Sequence, residues 1–532
     1  MRSLWRSISW KNLPRHKILL SGTAGNGMDR NGALALEAGQ LTAIAPVLIR
    51  RHPHTHIVNV WLIVVVLVGA VIAVADGLTR VSIFDRQEAW NGPLEYVPYQ
   101  GAFLFAGLTL PLTIAYARRA RVALTEGLFL WFVLCTAAYA RDFSYIRLPG
   151  TPLFVTDVTL LLLIFSVYFL RRSRQPGIPM AMGLFLSMFL GAGALSAARG
   201  FLGHREAMVV LRDSALVVYP LFLLVGYHLF RSWLSIKRMA VWFLLGTTLS
   251  ALAGLAWFIS VPEERRFIYF GIYILIALVG TVIAMESGLL RPRVGWIFTG
   301  VLCLGLMLAN ARSLFVSLAI LLLVRLLRER SAHKKIRVAH SVLILVTAAV
   351  MVSLAAFVFL RTDAGRDFAE RSAEELASGV LNTGQDANWQ FRLSAWKEAW
   401  RRFEEYPFAG EGFGIPFTFE GLSLDNDPRP HNTFLTVLYK MGLAGFLPLL
   451  ALLSYFLWST IGAAPRNFEI RRVALLQIVV STQLAFLLYG TANLMLESPF
   501  LAALFWATLG LGLRIVRMLN LGRLLQKEAH AH

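Results

Sequence analysis

Apolar residues run along the chain in blocks of close to twenty, and charged residues collect in the gaps. The blocks lie at 57–75, 99–117, 123–140, 154–170, 180–197, 208–230, 240–259, 267–285, 294–310, 313–328, 341–360, 434–458, 473–493 and 500–516. An α-helix needs roughly 20 apolar residues to cross the hydrocarbon core of a bilayer. The pattern therefore predicts an all-α polytopic membrane protein with about fourteen transmembrane helices, within a range of twelve to fourteen. One stretch, 361–433, is neither a span nor a short turn. A loop of that length inside a compact membrane protein is usually functional. It divides the chain into a basic N-terminal extension (1–56), a membrane bundle (57–360), the loop (361–433), a second part of the bundle (434–516) and a tail (517–532).

The gaps carry the orientation. With the N-terminus in the cytoplasm, the cytoplasmic segments are 1–56, 117–122, 171–178, 231–239, 286–293, 325–340, 459–472 and 514–532. They hold 32 of the 51 Lys and Arg residues, the bias that the positive-inside rule requires. Eight more lie in the loop 361–433, and long loops cross membranes largely regardless of charge. The reading is a multi-pass protein of the bacterial inner membrane, with both termini cytoplasmic and the long loop outside. Residues 1–56 contain no apolar stretch of the length a secretory signal needs. Their His52, His54 and His56 have no carboxylate or cysteine nearby to complete a metal site.

Composition narrows the class further. Apolar residues make up 57% of the chain and charged ones 15%, against about 25% charged in soluble proteins. Mean hydropathy is +0.61, so the excess is spread along the whole chain. A soluble enzyme with an anchor, a disordered protein and a coiled coil are all excluded. The two cysteines, Cys135 and Cys303, both fall in apolar runs, which excludes a disulfide scaffold. The net charge of +20 would suggest a nucleic-acid partner in a soluble protein. Here topology accounts for it, and no nucleic acid is expected.

Within the loop, 366–378 favours helix and 389–405 predicts one more strongly. Trp389, Leu393, Trp396, Trp400 and Phe403 recur at helical spacing and form one apolar stripe, expected to lie across the mouth of the bundle with Trp396 and Trp400 buried against it or in lipid. Arg401 and Arg402 read as its solvated face, while Arg392 flanks the stripe. Pro407 then breaks the helix, and Gly410, Gly412 and Gly414 alternate as they would where backbone comes close to something else. Asp425-Asn426-Asp427 lacks the Gly and Glu of a calcium loop and reads as a turn. Arg429-Pro430-His431-Asn432-Thr433 leads directly into the span 434–458. His431 and Asn432 thus stand at a helix N-terminus, where unsatisfied N–H groups and the helix dipole favour anions. The blander account makes Asn432 an N-cap and His431 a surface residue. Gly442 and Gly445 lie on the same helix face as His431, where another helix could pack closely. Lys440, on the opposite face with Thr433 and Thr436, could line a polar cavity.

Two further sites face the same side. Arg312 separates two spans with almost no loop, so it either snorkels to the interface or faces a polar interior. Arg212-Asp213 opens the sixth span, either as a local ion pair or as part of a site. Arg312, Arg392 and His431, with Arg212, form a cationic set at the outer face. No carboxylate pair, nucleophile–base constellation or metal-binding motif accompanies it. Arginines that bind phosphate bidentately and one near-neutral histidine suit a lipid diphosphate leaving group, without metal or cofactor.

The stretch 389–445 resembles the signature region of the O-antigen ligase and O-antigen polymerase superfamily. The family motif is met by Arg392, Trp396, Pro407, Gly410, Gly412, His431, Asn432, Gly442 and Gly445. Arg312-Ser313 and Glu497-Ser498-Pro499 resemble the family's flanking segments, and the resemblance covers roughly 294–516. It implies an inverting, metal-independent glycosyltransferase that takes a glycan from undecaprenyl diphosphate on the periplasmic face. The acceptor hydroxyl belongs to lipid A-core for a ligase, as in lipopolysaccharide biosynthesis, and to the next lipid-linked repeat for an O-antigen or exopolysaccharide polymerase. In a related branch it is a protein Ser or Thr. By carry-over, Arg312 and Arg392 hold the diphosphate and His431 polarises it or activates the acceptor. Arg212, Asn432, Trp396, Gly410 and Gly412 are the expected substrate-binding residues. The partners implied are the lipid-linked oligosaccharide or polysaccharide, an acceptor glycolipid or glycan chain, and membrane lipids.

A polytopic lipid or polysaccharide transporter is the reading from another class. Transporters place ionisable groups near the bilayer midplane, in broken helices of paired halves; this chain keeps them at one boundary. A structural assembly subunit leaves the Arg/His set without a role. The topology makes a direct prediction: with single cysteines at positions 380 and 468, a membrane-impermeant thiol reagent applied to intact cells labels the first and spares the second. Equal labelling refutes the assignment.

Overall fold

The computed structural model describes residues 55–79, 100–149, 151–170, 177–260, 271–309, 312–330, 387–418, 429–463 and 470–531. The extension 1–54, the span expected at 341–360, the loop stretch 361–386 and the turn at Asp425-Asn426-Asp427 lie outside these residues. In chain order the helices are α1 (Thr55–Thr79), α2 (Gln100–Arg119), α3 (Leu124–Ser144), α4 (Val155–Phe165), α5 (Met180–Leu202) and α6 (Ala207–Leu229). They continue with α7 (Trp233–Ser260), α8 (Gly271–Glu286), α9 (Pro292–Leu308), α10 (Arg312–Arg330), α11 (Ala387–Glu405), α12 (Thr433–Gly462), α13 (Ile470–Gly490) and α14 (Pro499–Ala531). Among the described residues there is no strand, only one isolated bridge between Arg147 and Phe154.

Every expected span that falls within the described residues is helical. Eight of these helices are long and apolar enough to cross a membrane. Four apolar ones, including α8 and α9, are shorter, and α3 carries Glu126, Arg141 and Asp142. The last helix runs on as far as Ala531, through the residues expected to form a tail.

The core is organised on α14, whose apolar window is buried along its full length, as expected for a helix that is apolar all round. It packs against the last part of α6. A Cβ on Gly226 would fall 1.9 Å from the Ala507 carbonyl oxygen, and one on Gly510 would fall 2.0 Å from that of Leu223. The two backbones touch there, the close approach that small residues permit in membrane helices. Around this pair, α7 packs on α1 and α3, α8 on α9 and α13, and α12 on α5.

Polar contacts sort the helix ends into two groups. At one end Arg238 of α7 meets Glu126 of α3 at 3.2 Å, and Arg325 of α10 meets Glu286 of α8. Arg517 of α14 donates to the Gly177 carbonyl at 3.1 Å, and Arg523 to that of Ala463 at 3.3 Å. At the other end α12 begins, α6 carries Asp213, and the turn between α13 and α14 carries Glu497. Helix α10 starts at this second end too: Leu314 packs on Gly271 of α8, and the Tyr273 hydroxyl on the next turn donates to the Phe500 carbonyl.

Candidate active site

Helix α12 is interrupted. Gly442 has φ +60° and ψ −161° inside an otherwise helical run. Such a break separates the N–H groups of Leu443 and Ala444 from the carbonyls of Tyr439 and Lys440, four residues earlier. Backbone groups left unpaired in a membrane cost several kcal/mol each. The loop after α11 satisfies all four. Glu411 N–H donates to the Tyr439 carbonyl at 2.8 Å and Gly412 N–H to that of Lys440 at 3.0 Å, while Leu443 N–H donates to Pro407 O at 2.8 Å and Ala444 N–H to Phe408 O at 2.9 Å. The two backbones are so close that a Cβ on Gly442 would lie 2.4 Å from Phe408 O, and one on Gly410 would lie 2.3 Å from the Lys440 carbonyl carbon. Gly410, at φ +66°, also needs the left-handed region. What approaches Gly442 is thus the loop, where the sequence suggested a neighbouring helix.

Three arginines fasten the loop from outside. Arg199, at the end of α5, donates to the carbonyls of Ala409 and Gly410 at 3.1 and 3.0 Å. Arg205 donates to Phe413 O at 2.7 Å and to Glu411 O. Arg402 of α11 is buried, with Glu398 at 2.7 Å, Glu411 at 3.1 Å, the Pro416 carbonyl at 3.1 Å and the Phe417 ring centroid at 4.9 Å. This corrects the solvated role expected of Arg402; Arg401 alone is exposed, paired with Glu398 and Glu405 on its own helix. Hydrogen bonds from Arg401, against the opposing effect of burial, and then from Arg402 hold the Glu398 carboxyl below the usual carboxylate range. Its contribution to the clamp is complete above the ordinary carboxylate pKa and disappears as pH falls through the lowered one.

Arg402 also sets how α11 packs. The packed face of α11 is Ala395, Ala399 and Arg402, against Phe417 and Tyr439. Small residues bring the helix close enough for Arg402 to reach Glu411. The tryptophan stripe is turned to one side, so that Trp400 is 48% exposed. With Leu393, Trp396, Lys397, Arg401, Glu404 and Leu435 it lines an open groove of about 390 Å³.

The start of α12 is built around His431. Asn432 caps the helix, its amide oxygen accepting from Phe434 N–H at 3.0 Å and Leu435 N–H at 3.1 Å, as the blander account had it. Trp396 donates from its indole to the Pro430 carbonyl at 2.7 Å. The Thr433 hydroxyl bridges Asn493 O and Met495 N–H at 3.0 and 2.8 Å. Between these anchors His431 has φ +46°, a left-handed conformation that strains most residues and is tolerated somewhat better by histidine. Such conformations persist only where surrounding contacts over-determine them, and they cluster at functional sites. The imidazole is half-buried, its centroid 5.9 Å from that of Phe391. Arg392 follows Phe391 in α11 and is also half-buried.

Behind His431 lies a buried set of charges. Arg429 Nη1 is 3.0 Å from Glu497 Oε2. Lys440, 2% exposed, pairs with Asp213 Oδ1 and stands 3.6 Å from Glu497 Oε1. Asp213 Oδ2 accepts from Gly414 N–H at 2.9 Å. Arg212 Nε lies 3.9 Å from Asp213 Oδ1 and makes no hydrogen bond. The local Arg212–Asp213 pair weighed from sequence is thus present at long range, with Lys440 as the closer partner of Asp213, and Lys440 itself is buried.

His431, Trp396, Asn432 and Gly410 thus belong to one connected assembly with Gly412, joined to Arg212 through Asp213 and Lys440. Arg312 opens α10 at this end of the bundle; its side chain lies outside the described residues. Reasoning from sequence missed Arg199, Arg205 and the Lys440 bridge. The signal available for the first two was their place on the side that the positive-inside rule leaves poor in arginine, where each needs a local partner. Among the described residues no three His, Cys, Asp or Glu side chains gather as a metal site.

The assembly predicts a stability pattern. Gly442→Ala and Arg402→Ala each lower the thermal unfolding midpoint in detergent, the latter reflecting a stability loss of about 3–5 kcal/mol because it strands largely buried carboxylates. Arg401→Ala and Gly107→Ala, the latter with nothing within 4 Å of its added Cβ, leave the midpoint unchanged. No curated protein matches the chain. A family model described as O-antigen ligase matches residues 297–450, a span that holds Arg312, α11, the inserted loop, His431 and the break in α12. Over that span the chain is similar to the O-antigen ligase family.

Proposed function

We propose that the protein is an inverting glycosyltransferase of the O-antigen ligase type. It moves a glycan from undecaprenyl diphosphate to an acceptor hydroxyl on the periplasmic face of the bacterial inner membrane, where the assembly around His431 lies. In the transfer, the acceptor hydroxyl gives up its proton to solvent water as its oxygen bonds to the anomeric carbon from the face opposite the diphosphate. The bond from that carbon to the phosphate oxygen breaks, and its electron pair leaves on the diphosphate. Charge develops on the leaving group, and fixed donors aimed at such charge are usually the largest catalytic contribution. Arg312 and Arg392 bind the diphosphate, and His431 stabilises it from the N-terminal end of α12.

The observation that carries this reading is the conformation of His431. The chain accepts φ +46° there while fixing the residues on both sides, at Pro430 through Trp396 and at Asn432 through the cap. A surface histidine with no task needs none of this. The O-antigen ligase match over 297–450 supports the reaction class independently.

The test uses purified protein in proteoliposomes with an undecaprenyl-diphosphate-linked glycan and a lipid A-core acceptor. His431→Ala and Arg392→Ala reduce transfer about a hundredfold or more. Arg312→Lys does the same, because lysine keeps the charge and loses the planar fork. EDTA has no effect. Full activity of Arg312→Lys, or inhibition by EDTA, overturns the anion-binding account. In a deletion strain, lipid A-core without polysaccharide and an accumulation of lipid-linked chains support ligation, whereas single-repeat products point to a polymerase.

A further inference from the structure

The buried charges behind His431 do not balance. Asp213 and Glu497 carry two negative charges; Lys440, Arg429 and Arg212 carry three positive ones. Arg429 occupies one oxygen of Glu497. Lys440 faces an oxygen on each carboxylate, and the Gly414 N–H takes the remaining oxygen of Asp213. Asp213, 1% exposed, therefore has in Lys440 a nearer cation than Arg212. The Arg212 guanidinium is left as the surplus cation, with its Nε buried and without a hydrogen bond and its side chain still 27% exposed. A buried donor without a partner is costly, and an arginine fork half open to solvent next to a neutralised carboxylate is suited to an anionic oxygen.

We propose that Lys440 is a positioning residue: by holding Asp213, it keeps the Arg212 guanidinium available for an anionic oxygen of a substrate phosphate. Arg212 stands 3.9 Å from Asp213 Oδ1, so a movement of about 1 Å brings it to ordinary ion-pair distance. Lys440 opposes this, because the nearer, more buried ammonium neutralises the Asp213 charge that would otherwise draw Arg212 in. Removing its charge converts Arg212 from a substrate ligand into the counter-ion of Asp213. The same ammonium holds Glu497 beside Arg429, but that contact is longer, and Arg429 supports Glu497 by itself. The inference rests on the proposed anion-binding role of this end of the bundle, and phosphate oxygens are present on both the lipid-linked donor and a lipid A-type acceptor.

Binding, measured without transfer, separates the possibilities. The full-length protein in nanodiscs is titrated with undecaprenyl diphosphate in one arm and with a bisphosphorylated lipid A in the other. Arg212→Ala weakens binding about tenfold in the arm whose phosphate Arg212 holds. Lys440→Met weakens the same arm equally and adds nothing to Arg212→Ala. Lys440→Met combined with Asp213→Asn restores binding to within about twofold, because no carboxylate remains to capture Arg212. Should Lys440→Met fail to fold, Asp213→Asn decides by itself: an affinity unchanged or tighter supports the proposal, and a tenfold loss overturns it. A folded double variant that binds as weakly as Lys440→Met also overturns it, while the effect of Arg212→Ala upholds the anion site. No effect of Arg212→Ala in either arm overturns the inference and the substrate-binding role expected of Arg212 from the sequence, and leaves the roles of Arg312, Arg392 and His431 standing. A loss of transfer with binding intact concerns the proposed chemistry alone.

Discussion

A membrane-spanning helix can be opened only where something else takes over its backbone hydrogen bonds, and that constraint governs this end of the protein. At Gly442 two consecutive helical bonds of α12 are broken, and four atoms of the loop 407–412 replace both. The replacement fixes the loop relative to the helix to within a hydrogen-bond length. Arg199 and Arg205 then tie the loop to α5 and its following turn, and Arg402 ties it to α11. Through α11 the same contacts set Trp396, and so the carbonyl of Pro430 and the strained residue after it. A loop that could have been mobile becomes a rigid mount for His431, and preorganised mounts are what make fixed charges effective against a leaving group.

Charge placement follows from the same break. Lys440 sits two residues before the break and about two turns into α12, at a depth where an isolated ammonium is expensive. It is paired on two sides by carboxylates from α6 and from the turn before α14. The three elements that converge on it are the sixth span, the helix carrying His431, and the segment that closes the bundle. The pairing therefore sets where His431 stands relative to the rest of the fold, as well as neutralising the lysine.

Much of the fold was legible in the sequence because membrane helices announce themselves: the apolar runs that fall within the described residues correspond to helices α1–α10 and α12–α14. The helix at 389–405 and the Asn432 cap were legible for the same reason, as local patterns. What was not legible depends on partners distant in the chain. Glycine spacing indicated a close backbone approach but not that the loop would replace the bonds of a helix thirty residues later. Arg402 looked solvated because its carboxylate partner Glu411 lies beyond the helix, and the face that packs was marked by Ala395 and Ala399, two small residues that carry no hydropathic signal. Adjacent Arg212 and Asp213 suggested a pair, which is present at 3.9 Å; the closer partner of Asp213, Lys440, lies 227 residues away in the chain and no local pattern points to it.

The central claim is that a lipid diphosphate binds at the N-terminal end of α12, against a mount held rigid by the loop. The measurement that addresses it most directly is an electron cryo-microscopy structure of the protein in nanodiscs with undecaprenyl diphosphate. The account predicts diphosphate density beside His431, within hydrogen-bonding distance of Arg392, with the bonds from Glu411 and Gly412 to Tyr439 and Lys440 unchanged. Diphosphate bound at the opposite end of the bundle, or a loop that leaves α12 when the lipid enters, would contradict it.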